Sequence, residues 1–430
     1  MKTTEVSNSF WDSQESRKIK PRCLENDIST QYVVIGAGFT GLNAAWALMQ
    51  QGAEVVVLDA NEPGWGASGR NGGMAVLRYK KSWTELVRVY GSDAAKNLLK
   101  LLELAVNTIE KNVQELDLHC DFRRYGHITA AYGIKDVHTL KNDIDWLTTE
   151  AGYHHARILD KEEAAQLIGT RYYQVGYLDN RAAGLNPLAY CREFARALVE
   201  RGLTLYSQTA VERVKKLPQG YLITTARGSI RADSLIIATN GYTGLYPMAK
   251  DIAQRVVPVT SSVIATSAID DALYERILPQ EHLVTDTRHL VNYFRRIPGN
   301  RLLFGGRGSL SGKERPEIYS NLCKQLSCLY PELHGISLDY RWSGHVAVTL
   351  DDFPHVGHWQ DDSVFALGYG GRGVALSHLL GTTLAAMALG QDKTLGPMSN
   401  ELHRVPFHRF RLPFMGIMAS YYWLRDRVGR

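Results

Sequence analysis

The stretch YVVIGAGFTGLNAAWALMQQGAEVVVLDA, residues 32–60, constrains this chain more than any other. Its first eighteen residues are apolar but for the break at Asn43, a length at which a membrane span comes into question. The glycines decide against a span. Gly36, Gly38 and Gly41 stand in GxGxxG register directly after the β-branched run from Tyr32 to Ile35, and a second such run, Val55 to Leu58, ends on Asp59. This grammar predicts a strand, a tight turn, a helix and a second strand.

Each residue type has a task in such a unit. Gly36 lets the chain turn sharply, Gly38 lets a pyrophosphate approach the backbone, and Gly41 lets the helix pack closely on the strand. The helix start offers free N–H groups and the positive end of a dipole to a phosphate. Asp59, eighteen positions beyond Gly41, can accept hydrogen bonds from a ribose hydroxyl, and an acid there favours an unphosphorylated ribose. The unit is therefore expected to hold an adenine dinucleotide.

A chain of 430 residues can bury a large core, and its length points to two or three domains. Cys23, Cys120, Cys191, Cys323 and Cys328 are scattered and form no CxxC pair, so neither a disulfide framework nor a zinc site is indicated. The polar N-terminus lacks the apolar run of a secretory signal, and a reduced, cytoplasmic setting is expected. The net charge is +5, and the segment 403–430 supplies all of that excess through Arg404, Arg409, Arg411, Arg425, Arg427 and Arg430 against Asp426. The rest is balanced, which argues against a nucleic-acid face. The tail is too short in apolar length to span a bilayer, but it can lie peripherally on the inner face of a membrane or dock as a terminal helix.

Further along, NEPGWGASGRNGGMAV (61–76) is a glycine-dense loop that should lie against something. Residues 83–118 read as one or two amphipathic helices and 122–133 as a strand. The segment 184–202 is expected to be helical, with Asn186 as N-cap and Pro187 at the first helical position. Strands are expected at 204–207, 211–215, 221–225 and 232–241, then alternating strands from 256 to 340 with a helix over 317–329. SVFALGYGGRGVALSHLLGTTLAAMALG (363–390) repeats the opening grammar of strand, glycine turn and apolar helix.

Three glycine-rich turns thus stand far apart, at 36–41, 66–73 and 368–373. In this order, from about Tyr32 to Gly390, they resemble the glycine oxidase and D-amino-acid oxidase family of FAD-dependent enzymes, and GASGRNGG with ATNGYTG most resembles its γ-glutamylputrescine oxidase branch. The resemblance implies an α/β fold, with a Rossmann-like FAD-binding domain of the glutathione-reductase type and an interleaved α+β substrate domain. The FAD domain would comprise 31–80, 186–255 and 343–402, the substrate domain 81–185 and 256–342, with an extension at 1–30 and a tail at 403–430. It implies FAD contacts at Gly36, Gly38, Gly41 and Asp59, at Ser68, Gly69, Arg70, Asn71 and Gly72 beneath the flavin, and at Val211 near the adenine. Gly370, Gly371 and Gly373 would face the pyrimidine edge, where a positive helix end favours the reduced flavin. A nicotinamide enzyme needs one such turn, whereas a permanently held flavin is gripped along its length by several loops.

The same resemblance implies oxidation of a carbon–nitrogen single bond to an imine by hydride transfer to flavin N5. An apolar pocket that disfavours ammonium would assist. Tyr293, Arg295, Arg307, His345 and Arg372 are the candidate substrate contacts, since an arginine's planar fork suits a carboxylate. The expected substrates are a γ-glutamylated polyamine, with a cyclic imino acid such as L-pipecolate as the alternative. The expected acceptor is oxygen or an electron carrier. A flavoprotein subunit without turnover is a further class, for which the three intact turns give no support. Departures from the sarcosine oxidase branch narrow the chemistry. Gly344 replaces its flavin-linking cysteine, which implies non-covalent FAD. Ala375 replaces a carboxylate-binding lysine and Leu303 an oxygen-activating one, so oxidase and dehydrogenase both stay open.

Overall fold

The opening unit of the computed structural model is the strand Ile28–Ile35, the helix Phe39–Met49 and the strand Val55–Leu58. The model describes residues 9–14, 19–245, 247–309, 315–360, 363–391 and 393–428. Val33 and Val34 are fully buried, as are Val57 and Leu58, because these parallel strands are covered on both faces. Each such side chain contributes about 1.5–3 kcal/mol by leaving water. Asn43, the polar break in the apolar run, is buried and satisfied: its Nδ2 donates to the Phe39 carbonyl at 2.7 Å, and its Oδ1 accepts from Asn112 Nδ2 at 2.7 Å. Asn112 belongs to the helix Ser92–Leu116, so the run packs inside protein rather than lipid. No helix among the described residues is long and apolar enough to cross a membrane.

Two eight-stranded mixed sheets organise the chain. The first places Ile28–Ile35 between Ser229–Ile237 and Val55–Leu58, with Thr204–Tyr206 beyond the latter, all in parallel pairs. Ser363–Leu367 extends it on the other side, also parallel. Its covering helices include Phe39–Met49 and Gly373–Ala388, which meet at Gly381, where a Cβ would lie 2.5 Å from the Thr40 carbonyl oxygen.

In the second sheet Leu338–Val348 pairs with Val257–Thr266, which continues through Arg301–Arg307 and Tyr293–Ile297 in antiparallel register. Leu283–Asp286 then joins His127–Ala130 in parallel. Side chains on one face of a strand recur every second residue. Val257, Val259 and Ser261 therefore share a face, which the register extends to Gly344, Val346 and Val348 and to Arg307.

Several expected bounds are corrected. The amphipathic segment, expected as one or two helices, forms two, Trp83–Tyr90 and Ser92–Leu116, parted at Gly91 with φ 86°. The strand expected over 122–133 is confined to His127–Ala130, and that over 232–241 is Ser229–Ile237. The boundary expected at 343 falls inside the continuous strand Leu338–Val348, whose pairing with Val257–Thr266 keeps it whole. Nor is 1–30 wholly an extension: Phe10 and Trp11 are core residues packed with Val263 and Trp342, and the first strand already begins at Ile28. The helix at 184–202 forms as Pro187–Glu200, with Asn186 Oδ1 accepting from Ala189 N–H at 3.1 Å.

Candidate active site

A cavity of ≈ 710 Å³ runs between the two sheets. Its lining includes Gly36 and Gly38 of the first turn, residues 64–72 of the glycine-dense loop except Gly69, and Gly370 to Gly373 of the third turn. Val211 and the apolar face of the second sheet complete the walls. The first turn is bonded to the other two, to the third through the Thr40 hydroxyl and the Tyr369 hydroxyl at 2.7 Å. Ser68 Oγ accepts from the Phe39 amide at 3.0 Å, so the second loop caps the first helix. Asn240 of ATNG accepts from the Gly368 amide at 3.0 Å at the entry to the third turn. Gly36 donates to the Leu58 carbonyl at 2.7 Å, closing the first turn against the second strand.

Gly41 does not line the cavity; its role is packing. A Cβ there would stand 1.8 Å from the Gly36 carbonyl oxygen, so only glycine lets the helix lie this close to the turn. Gly371 is glycine for another reason: φ is 87° with open space around it, a backbone conformation that side chains resist.

Asp59 lines the cavity at the end of its strand. One carboxylate oxygen accepts from the Ala37 amide at 2.7 Å and the other from the Asn61 amide at 2.8 Å. Burial nevertheless raises its pKa to about 6.

Arg70 and Asn71 line the cavity but spend their side chains on the loop. Arg70 donates to the carbonyls of Trp65 and Ser343, and Asn71 bonds the carbonyls of Ala67 and Ser68 and the amide of Gly73. Three outside side chains clamp the same loop. Trp342 Nε1 donates to the Arg70 carbonyl and Trp11 Nε1 to the Asn71 carbonyl, each at 2.9 Å. Arg295 donates to the carbonyls of Gly73 at 3.1 Å and Leu185 at 3.2 Å.

Arg295 therefore does not belong with the substrate contacts. It is 4% exposed, lies outside the cavity lining, and has its guanidinium engaged by backbone carbonyls. Tyr293, Arg307, His345 and Arg372 do line the cavity. The Tyr293 ring crosses Gly305, where a Cβ would meet it at 2.1 Å, and its hydroxyl bonds Ser261 Oγ at 3.0 Å. Burial pushes its pKa up to about 12. His345 packs edge-on against Tyr242, and burial with the nearby Arg70 charge lowers its pKa, leaving it neutral at pH 7. Arg372, at the N-cap of Gly373–Ala388, has its pKa lowered by burial and by Arg78 to about 10, so it stays charged. Burial lowers the Arg307 pKa too, and no hydrogen bond or ion pair engages it among the described residues.

Among the departures, Gly344 lines the cavity beside Arg70, whereas Leu303 and Ala375 are buried in the core.

The C-terminal helix Arg411–Val428 contributes what the sequence did not signal. Met415, Met418 and Tyr422 line the cavity. Tyr422 stacks on His289 with ring centroids 5.0 Å apart, and Asp426 accepts from the amides of His289 at 3.0 Å and Leu290 at 3.1 Å. Acids in the lining are Asp59, already bonded, and Asp352, paired with Lys80 at 2.5 Å. The charge left over is positive, which fits a diphosphate and a carboxylate. The cavity thus fits a flavin dinucleotide: three interlinked backbone turns, an acid in the wall at the end of the second strand, and room along both sheets.

Comparison with known proteins agrees. Residues 31–387 match the family model described as FAD dependent oxidoreductase. The chain is 29% identical over 430 residues to the γ-glutamylputrescine oxidoreductase of Escherichia coli (strain K12), covering 99% of this chain and 100% of that protein. It is 31% identical to a probable oxidoreductase, OrdL, of Haemophilus influenzae over 84% of this chain and 83% of that one. The crystal structure of glycine oxidase from Geobacillus kaustophilus superposes with a TM-score of 0.74 at 19% identity, over 88% of this chain and 100% of that one, a likeness of fold.

Proposed function

We propose, from the premise that this chain belongs to the family of FAD-dependent oxidoreductases, that it oxidises a carbon–nitrogen bond of a γ-glutamylated amine such as γ-glutamylputrescine to the imine. FAD is the family's cofactor and, when bound, supplies the hydride acceptor for this oxidation. In this reading Gly36 and Gly38 hold its pyrophosphate, Asp59 its ribose and Val211 its adenine, while Ser68, Arg70 to Gly72 and Gly370 to Gly373 hold the flavin, and Gly69, outside the lining, lets the loop pack on Gly64. With Gly344 in place of a linking cysteine, the cofactor is held without a covalent bond.

The observation that carries the proposal is the wall facing those turns. Val257, Val259, Val346 and Val348 line the cavity with Tyr293 and the unengaged Arg307. An apolar wall disfavours ammonium, so the amine is held neutral with its lone pair free. Arg307 attracts a carboxylate with a planar fork of donors. Neutral His345 orients rather than protonates. Positioning and exclusion of water are the chain's contribution. The E. coli relative's name supports an amine of this type. The reading places the enzyme in the cytoplasm, with dioxygen or a separate carrier taking the electrons.

The test is anaerobic mixing of the yellow holoprotein with γ-glutamylputrescine, putrescine, glycine and L-pipecolate. Bleaching of the flavin band by γ-glutamylputrescine, followed by return of the colour in air, is expected of an oxidase. Bleaching without return in air marks a dehydrogenase. No bleaching by any amine refutes the proposal, and bleaching by glycine or L-pipecolate alone moves the substrate to amino acids.

A further inference from the structure

The C-terminal helix Arg411–Val428 has two unlike faces. Met415, Met418 and Tyr422, three and four residues apart, turn toward the cavity. Ile417, Tyr421 and Leu424, at the same spacing on the other side, are about half exposed or more, at 66%, 49% and 53%. Among the described residues, Phe407, Phe410, Leu412, Ile417, Tyr421 and Leu424 are exposed large hydrophobic side chains gathered in one short segment, and none of them lines the cavity. Scattered apolar side chains need no explanation, but a concentration in one short segment does.

Charge says what covers it. Asp426 is the sole acid of the helix, and its carboxylate is bonded on the inner side to His289 and Leu290. Arg404, Arg409 and Arg425, in the helix or shortly before it, are exposed. The Arg409 guanidinium lies 4.5 Å from the Phe410 ring centroid and that of Arg425 5.8 Å from Tyr421, placing a cation beside a half-exposed ring. An apolar body with a charged rim of one sign matches an anionic bilayer surface, where rings enter the acyl boundary and guanidinium groups meet headgroups. Two copies of this face would bring like charges together.

We infer that this helix seats its outer face on an anionic lipid surface, so that the cavity wall made by its inner face lies at the bilayer. The helix lies on the surface rather than crossing it. The inference stands apart from the amine chemistry, because it uses residues that do not line the cavity.

The test is flotation of the holoprotein with vesicles of phosphatidylcholine, with and without phosphatidylglycerol. Flotation is expected only with phosphatidylglycerol, weakening as salt rises. The variant I417D/L424D should abolish it while flavin content and turnover stay unchanged. R409E/R425E, which leaves the apolar residues in place, should weaken partition by about five-fold or more for each arginine charge removed. Failure of the wild type to float with anionic vesicles overturns the inference, as does flotation retained by both variants. A wild-type dimer in light scattering that I417D/L424D converts to monomer, without flotation, also overturns it and assigns the face to a second copy.

Discussion

The Asp59 carboxylate accepts a hydrogen bond from the Ala37 amide at 2.7 Å, tying the end of the second strand into the first glycine turn. Its other oxygen takes the Asn61 amide at 2.8 Å. A carboxylate has about four acceptor sites, so capacity remains for a ribose hydroxyl. One acid thus shapes the turn and faces the cavity.

Burial raises the Asp59 pKa to about 6. The ionised form is the better acceptor for ribose O–H donors, so a proton competes with the cofactor. FAD affinity should be full above pH 6 and fall by up to about ten-fold per unit below it. Asp59→Asn should bind FAD more weakly and with a flatter pH profile. Fluorescence titration of the apoprotein from pH 5 to 8 checks this; an unchanged profile in the variant sinks the ribose assignment.

Arg295 holds the glycine-dense loop from outside the cavity. Removing its guanidinium leaves buried carbonyls without donors, and Arg295→Met should cost about 3 kcal/mol or more. Lower melting temperature together with lost flavin is expected. A variant that stays stable and fully yellow, yet binds substrate poorly, would return Arg295 to the substrate contacts.

Gly41→Ala places a methyl 1.8 Å from the Gly36 carbonyl oxygen, against backbone that cannot move aside cheaply. Loss of FAD binding and a large drop in melting temperature are expected. Gly416→Ala, with nothing within 4 Å, should instead stabilise the C-terminal helix by up to about 1 kcal/mol. Chemical denaturation and flavin content of the two proteins separate the effects.

Arg307 lies on the cavity face of the second sheet with no ion pair among the described residues. Arg307→Gln should raise KM for γ-glutamylputrescine by about ten-fold or more, while KM for putrescine, which lacks the carboxylate, changes little. Arg307→Lys should recover part of the loss. Equal losses for the two substrates would show a general disturbance of the pocket rather than carboxylate recognition.

Within residues 32–60 the sequence was sufficient by itself. Glycine register, branched strands and a terminal acid are local properties, since the turn, helix and strand they specify are neighbours in the chain. The N-cap Asn186 and the third turn were legible for the same reason, and the order of the three turns pointed to the family. Tertiary structure alone decided the rest. Trp11 reaches the loop carbonyl of Asn71 across 60 positions, Arg295 that of Gly73 across 222 and Trp342 that of Arg70 across 272. An arginine that clamps a loop and one that faces a ligand look alike in sequence, because the difference lies in which distant acceptors the fold brings to the guanidinium. The C-terminal segment read as basic and able to dock as a terminal helix, but its place over the cavity came from Asp426 meeting the amides of His289 and Leu290, a contact that no local periodicity encodes.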